Sequence, residues 1–272
     1  MDLQKRWKNF LIIAEAVVLV FLIAVGMFVL YSYSTVEHDE EYNVVTEEGQ
    51  ETLMEENPAL REEDPTLFQG PKELVRVDET SLRVPIDFSS WQERNPDVYA
   101  WIRIPDTNID YPILQGGPDD SYYLDHTIDG VKGYPGSIYT ESVNSKDFHD
   151  FNTVIYGHNM KNGTMFKHLH KFEDGEFFDS HEFFEVYTEE GTKIYRVYAS
   201  VVYSDKHVMK AFDYDDPSGR KAFIDSLDTG ESVNHFREGM NIDENSKLLT
   251  LATCIGGRPD NRWLVVAQLI EY

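Results

Sequence analysis

One cysteine, Cys254, and nine histidines stand in a chain of 272 residues. A thiol attacks a carbonyl only as its thiolate, so it needs a base or a fixed cation within reach. Cys254 closes the apolar run Leu248 to Thr253 and precedes Ile255-Gly256-Gly257-Arg258-Pro259, where a strand is expected to open into a loop. His158 has the same relation to its own run, Thr153 to Tyr156, followed by the turn residue Gly157. Arg262 begins a third apolar run, Trp263 to Ala267. Its guanidinium never loses its charge and suits an oxyanion. Arg258 is the rival for that role, although a side chain on a strand is held more firmly than one in a loop. Nucleophile, base and cation at three strand ends make a unit for covalent acyl transfer. Singly, each has a plainer reading: a small core residue, a satisfied imidazole, a surface arginine. Their matching locations favour chemistry.

Other chemistries fit less well. His168 and His170 are two apart and have carboxylates nearby, but no third ligand stands at a recognisable metal spacing, so neither metal nor cofactor is expected. No phosphate-cradling glycine loop is present. The net charge of −25 argues against nucleic acid as a partner and against adhesion to a membrane through a basic patch. A single cysteine permits no intramolecular disulfide, so the fold must rest on its core.

The elements that must carry these groups are mostly strands. Short β-rich runs cover Trp101 to Ile104, Tyr111 to Leu114, Ser137 to Tyr139, Thr153 to Tyr156, Phe183 to Tyr187, Lys193 to Tyr203, Leu248 to Thr253 and Trp263 to Ile270. Turn residues such as Gly116-Gly117-Pro118 separate several of them. Helices are expected at Phe88 to Arg94, at Met165 to Leu169 with Thr164 as cap, and at Pro217 to Leu227 with Asp216 as cap. The fold class is therefore mainly β (α+β): a sheet closed or nearly closed on itself, with peripheral helices.

The charge is unevenly spread. Residues 37–64 carry −11 and residues 65–272 carry −15. Ahead of them, Phe10 to Leu30 is a run of 21 residues with one charge, Glu15. As a helix it would extend roughly 30 Å, enough to cross a bilayer. Lys5, Arg6 and Lys8 precede it and no base follows until Arg61, which puts the N-terminus in the cytoplasm and the rest outside. A cleaved signal peptide is the alternative, with Ser32 and Ser34 at an acceptable spacing, but the run exceeds the usual length of such a region. The acidic stretch cannot bury enough apolar surface to offset its ordering entropy and reads as a stalk or a solvating tail. The expected organisation is a cytoplasmic end at 1–9, a transmembrane anchor at 10–31, an acidic linker at 32–72 and a catalytic domain at 73–272.

The segment Tyr156-Gly157-His158-Asn159-Met160-Lys161-Asn162-Gly163-Thr164-Met165-Phe166 resembles the histidine segment of the sortases, and Thr250-Leu251-Ala252-Thr253-Cys254 is similar to their TLxTC motif. Arg262 before Trp263-Leu264-Val265-Val266 resembles the family arginine. Further likeness lies in Asn95 to Ile102, Ile109 to Pro112 and Tyr122-Tyr123-Leu124, so the similarity runs from about residue 85 to the end. The helix at 217–227 between two late strands points to class B.

The resemblance implies a sortase barrel and a cysteine transpeptidase with Cys254 as nucleophile, His158 as acid and base, and Arg262 at the oxyanion. It implies a substrate groove that includes Asp120, Leu124, Tyr156 and Thr253. Ala252 replaces a frequent serine and Asp120 a frequent asparagine, departures that bear on peptide selectivity. The implied partners are secreted proteins with a C-terminal sorting signal cut after threonine, and an amine on a cell-wall precursor or a pilin. Hydrolysis of the thioester by water, and a surface adhesin without catalysis, are the remaining alternatives. On charge alone, the acidic domain should raise the pKa of Cys254, while Arg262 and a protonated His158 should lower it.

Overall fold

Apolar side chains alternate with a period of two along most of the strands, and this alternation divides the core between the two faces of one sheet. On the strand Leu248–Ile255, Leu249 and Leu251 join the central cluster with Ile102, Ile155, Trp263 and Val265, while Leu248 and Ala252 join a second cluster with Val154, Leu264 and Phe223. The computed structural model describes residues 84–270. The apolar run at 10–31, the acidic linker and the domain boundary at 73 lie outside the described residues. Among the described residues, no helix is long and apolar enough to cross a membrane.

The elements follow in the order α1 (Phe88–Arg94), β1 (Val98–Arg103), β2 (Asp110–Leu114), a 3₁₀ turn (Tyr122–Leu124), β3 (Ile138–Thr140), β4 (Asn152–Tyr156) and a longer 3₁₀ segment (Phe166–Glu173). Then come α2 (Gly175–Ser180), β5 (Phe183–Thr188), β6 (Gly191–Ser204), α3 (Val208–Ala211), α4 (Pro217–Ser226), β7 (His235–Phe236), β8 (Leu248–Ile255) and β9 (Arg258–Ile270). The sheet order is β5-β1-β2-β3-β4-β8-β9-β6-β7. Because β5 also pairs with β6, eight strands close into a barrel and β7 hangs on the outside of β6. Two neighbours are parallel, β2 with β3 and β4 with β8; the other pairs are antiparallel.

The 14 residues of β6 make this closure possible. Its first part pairs with β5 and nearly its whole length with β9, with a register shift between Val197 and Ala199. Such a bulge increases local twist, which a closing sheet needs. On the outer face α4 and its C-cap lay Phe223 and Leu227, both fully buried, over Phe151, Val154 and Leu264. Each buried side chain of this size stabilises the fold by about 1.5–3 kcal/mol. Asp216 accepts from the Ser218 amide at 2.7 Å, and Pro217 occupies the first turn, where its missing N–H is not needed.

The strand and helix expectations from sequence hold with small changes of extent. Three corrections matter. Thr164 does not cap the 3₁₀ segment: its hydroxyl donates to Asn162 Oδ1 at 2.7 Å, and Met165, at φ 55°, precedes the first turn. The stretch after Cys254 is no open loop, since β8 runs to Ile255 and β9 resumes at Arg258 across Gly256-Gly257. Helices α2 and α3, the turn at Tyr122–Leu124 and the two-residue β7 are additions; all are too short to leave a periodic signal.

Gly157, just past β4, marks a close approach. A Cβ there would lie 2.4 Å from Ile138 Cδ1 and 2.7 Å from the Phe166 ring, both buried. Gly157→Ala is expected to destabilise the protein by about 1–3 kcal/mol, the usual cost of overpacking. Chemical denaturation measures this, and an unchanged midpoint would mean that Phe166 yields without cost.

Candidate active site

Strand register brings the three predicted groups to one end of the barrel. In the parallel pair, Tyr156 of β4 lies opposite Ala252 of β8, and the next rung is Gly157 N–H to the Ala252 carbonyl at 3.2 Å. His158 and Cys254 are each two residues beyond the paired positions, so they leave adjacent strands at the same level. In the antiparallel pair, Cys254 lies directly opposite Arg262. Alternation sets the face. Cys254 shares parity with Leu248 and Ala252, and Arg262 with Leu264 and Val266, all on the side opposite to the central cluster.

Each group has its own support. His158 Nε2–H donates to the Leu124 carbonyl at 2.7 Å, which fixes the tautomer and leaves Nδ1 as the nitrogen able to exchange a proton. The Tyr134 ring stands edge-on to the imidazole, with centroids 5.2 Å apart. The Leu124 segment is anchored in turn by Tyr123, whose hydroxyl donates to Asp97 Oδ2 at 2.7 Å and accepts from Asn95 Nδ2 at 2.9 Å. Arg262 Nη1 donates to the carbonyls of Pro259, at 2.7 Å, and Asn261, at 2.9 Å. Those carbonyls belong to the bulge that separates the Cys254 and Ile255 pairings, so the guanidinium is held by the irregularity beside it. Arg258, the rival, points elsewhere and pairs with Glu231 at 2.8 Å on the surface.

Electrostatics keep the pair neutral at rest. Burial pushes the Cys254 thiol up, and Arg262 pulls it partly back. Burial also lowers His158, against the raising effects of the Leu124 carbonyl and Asp125. The sequence expectation named the acidic domain as the raising influence; desolvation is the cause instead, because the thiol is part-buried.

The groove residues divide. Leu124, whose backbone carbonyl meets the His158 imidazole, is 41% exposed. Tyr156 is half-buried and stacks on Tyr139 at 5.4 Å. Asp120 is exposed, and the Ser142 N–H holds its carboxyl below the usual range. Tyr139 is buried beneath Tyr156, and burial, then Glu141, Asp120 and Cys254, raises its phenol. Thr253 turns the other way. It is 2% exposed, and its hydroxyl donates to the Gly157 carbonyl at 2.8 Å, tying β8 to the turn that carries His158.

The histidines considered for metal have other partners. His168 Nδ1 accepts from the Asn108 N–H at 2.9 Å, while His170 lies against Glu173 and the Cys254 carbonyl. Among the described residues, no group of three or more His, Cys, Asp or Glu side chains could hold a metal ion. Sequence reasoning missed Asn159 and His170 as neighbours of Cys254, and Glu173 behind His170. Only the adjacency of Asn159 to His158 could have pointed to one of them.

The sortase domain family matches residues 102–270, most of the barrel and all three chemical groups. The chain belongs to the sortases, and within them to class B. Sortase B of Listeria monocytogenes is 36% identical over 163 residues, which span 60% of this chain and 65% of that protein. The solved sortase B of Clostridium perfringens is 29% identical and covers 68% of this chain and 100% of its own, with a TM-score of 0.59. A sortase B solved in complex with triglycine is 26% identical over 68% of this chain and 85% of its own, also with a TM-score of 0.59. The family is one of cysteine transpeptidases, and this sortase carries a cysteine, a histidine and an arginine at one end of its barrel.

Two expectations follow. Alkylation of Cys254 by a neutral thiol reagent should rise with pH through a midpoint above that of an ordinary thiol, and in Arg262→Gln the midpoint should move further up, because the lowering charge is gone. A midpoint unmoved by the substitution would remove Arg262 from the electrostatics of the thiol. Gly136, at φ 66°, lies so near Leu124 that a Cβ would meet its carbonyl oxygen at 2.4 Å. Gly136→Ala should therefore lower turnover by about tenfold or more by displacing the acceptor that orients His158. Kinetics at matched folded fraction would test this, and full turnover would free His158 from any dependence on Leu124.

Proposed function

We propose that this class B sortase is a membrane-anchored transpeptidase at the cell surface, with Cys254 as nucleophile, His158 as proton carrier and Arg262 as oxyanion and substrate-backbone donor. The register that sets Cys254 opposite Arg262, and one parallel strand away from His158, carries this reading. Proton transfer from the thiol to His158 Nδ1 gives the reactive thiolate and imidazolium. The thiolate attacks the carbonyl carbon of a threonine in a sorting signal near the C-terminus of a secreted protein, and Arg262 stabilises the negative oxygen. The C–N bond breaks, His158 returns its proton to the leaving amine, and the acyl group stays on sulfur as a thioester. An incoming amine gives a proton to His158, forms the new C–N bond and releases the thiolate.

The acceptor is an amino group of a cell-wall precursor or a pilin, a reading supported by the triglycine bound to a related sortase B. The exposed Leu124 and Asp120 and the half-buried Tyr156, backed by the buried Tyr139, support a groove that recognises the signal. The apolar run at 10–31 and the bases before it support an anchor with its N-terminus in the cytoplasm and the barrel outside. No cofactor or metal enters the scheme.

Incubation with a threonine-containing sorting-signal peptide should give an acyl adduct by mass spectrometry on wild type and none on Cys254→Ala. Absence of an adduct across a library of such signals would sink the assignment. Addition of triglycine should convert the adduct to a transfer product; free acid alone would replace the transferase reading with hydrolysis.

A further inference from the structure

The peptide that carries the nucleophile is held by the sheet on its β9 side but lies beyond the ladder on its β4 side. The ladder between β4 and β8 ends with Gly157 N–H on the Ala252 carbonyl, and the register with β9 shifts between Cys254 and Ile255. A further parallel rung would place the Asn159 backbone N–H on the Cys254 carbonyl. Side chains occupy that position instead. Asn159 Nδ2 donates to the Cys254 carbonyl oxygen at 2.9 Å, and His170 Nε2 lies 2.9 Å from the same oxygen and 3.0 Å from Asn159 Nδ2. The Asn159 amide has two hydrogens, enough to serve both the carbonyl and the ring nitrogen.

His170 is itself braced. Its Nδ1 donates to the Glu173 carboxylate three residues on in the same 3₁₀ segment, and its ring lies 6.0 Å from that of the buried Trp263. Asn159 is fixed by the same segment, since the Phe166 N–H donates to the His158 carbonyl at 2.9 Å and Asn159 pairs with Met165. Asn159 follows His158 directly. One clamp therefore ties the backbone of the nucleophile to the segment that carries the base.

We propose that Asn159 and His170, with Glu173 behind the imidazole, are positioning residues that fix Cys254 relative to His158 and Arg262 in the transpeptidation reaction. Neither touches the substrate in this scheme. Their effect is on the geometry of attack, where displacement by about 1 Å costs on the order of a hundredfold in rate. The proposal rests on Cys254 being the nucleophile.

The test compares two amides at position 170 in the full chain. The glutamine amide reaches about as far as Nε2 of histidine, whereas asparagine stops short of that position. Single-turnover acylation by a sorting-signal peptide should fall by about tenfold to a hundredfold in His170→Asn and in Asn159→Ala, with KM within about twofold of wild type. His170→Gln should recover most of the lost rate. A wild-type acylation rate in the double variant Asn159→Ala, His170→Asn overturns the proposal. So does equal impairment of the glutamine and asparagine variants in step with a falling melting temperature, which would assign the clamp to stability alone. Cys254→Ala separates the two levels: acyl-enzyme formed without that thiol refutes the nucleophile assignment, whereas its loss there, with unchanged rates in the clamp variants, refutes only the positioning role.

Discussion

The position of β8 between β4 and β9 is the constraint on which the site depends. Buried backbone N–H and C=O groups must be paired, and β8 meets this demand with a parallel neighbour on one side and an antiparallel one on the other. Once the register with each neighbour is set, the level of Cys254 on both is set too. A slip of one residue on β8 would exchange Leu249 and Leu251 with their neighbours between interior and exterior, so the hydrophobic pattern enforces the register. The arrangement of Cys254, His158 and Arg262 is thus maintained by the burial of residues elsewhere on the strands.

The site lies where this regularity stops. Beyond Ala252 and Arg262 the ladders give way to a turn, a bulge and side-chain hydrogen bonds, which leave the chemical groups at the rim of the barrel. Burial at that rim has an electrostatic effect. It disfavours charge on both the thiol and the imidazole, so the resting pair stores little reactive thiolate. Arg262 offsets part of this for the thiol, and the Leu124 carbonyl does so for the imidazole. A thiol that is mostly protonated is also less prone to oxidation.

The barrel and its three chemical groups were legible because they depend on signals that a sequence displays. The apolar runs of β4, β8 and β9 end beside His158, Cys254 and Arg262, and Asp216-Pro217 announces α4. What stayed hidden depends on contacts between distant segments. His170 sits 84 residues from Cys254, within a stretch that suggested a metal pair, and nothing local tells that its ring faces the nucleophile's carbonyl. Thr253 belongs to the motif yet points inward, since parity on β8 can be read only once Cys254 is known to face out. The tight Gly256-Gly257 connection read as a loop because a two-residue hairpin and a longer turn share the same glycine signal.

Closure of the barrel has a further consequence for how peptides are read. Strands with an open edge recognise extended chains by adding them to the sheet, so that main-chain hydrogen bonds supply much of the affinity and tolerate many sequences. The ring formed through β5 and β6 leaves β4, β8 and β9 with neighbours on both sides, and no such edge is offered beside Cys254. An extended peptide must cross the outer face of the strands instead of joining them. Discrimination then falls to the side chains of that face, and the same backbone scaffold can serve a different sequence after a few surface replacements.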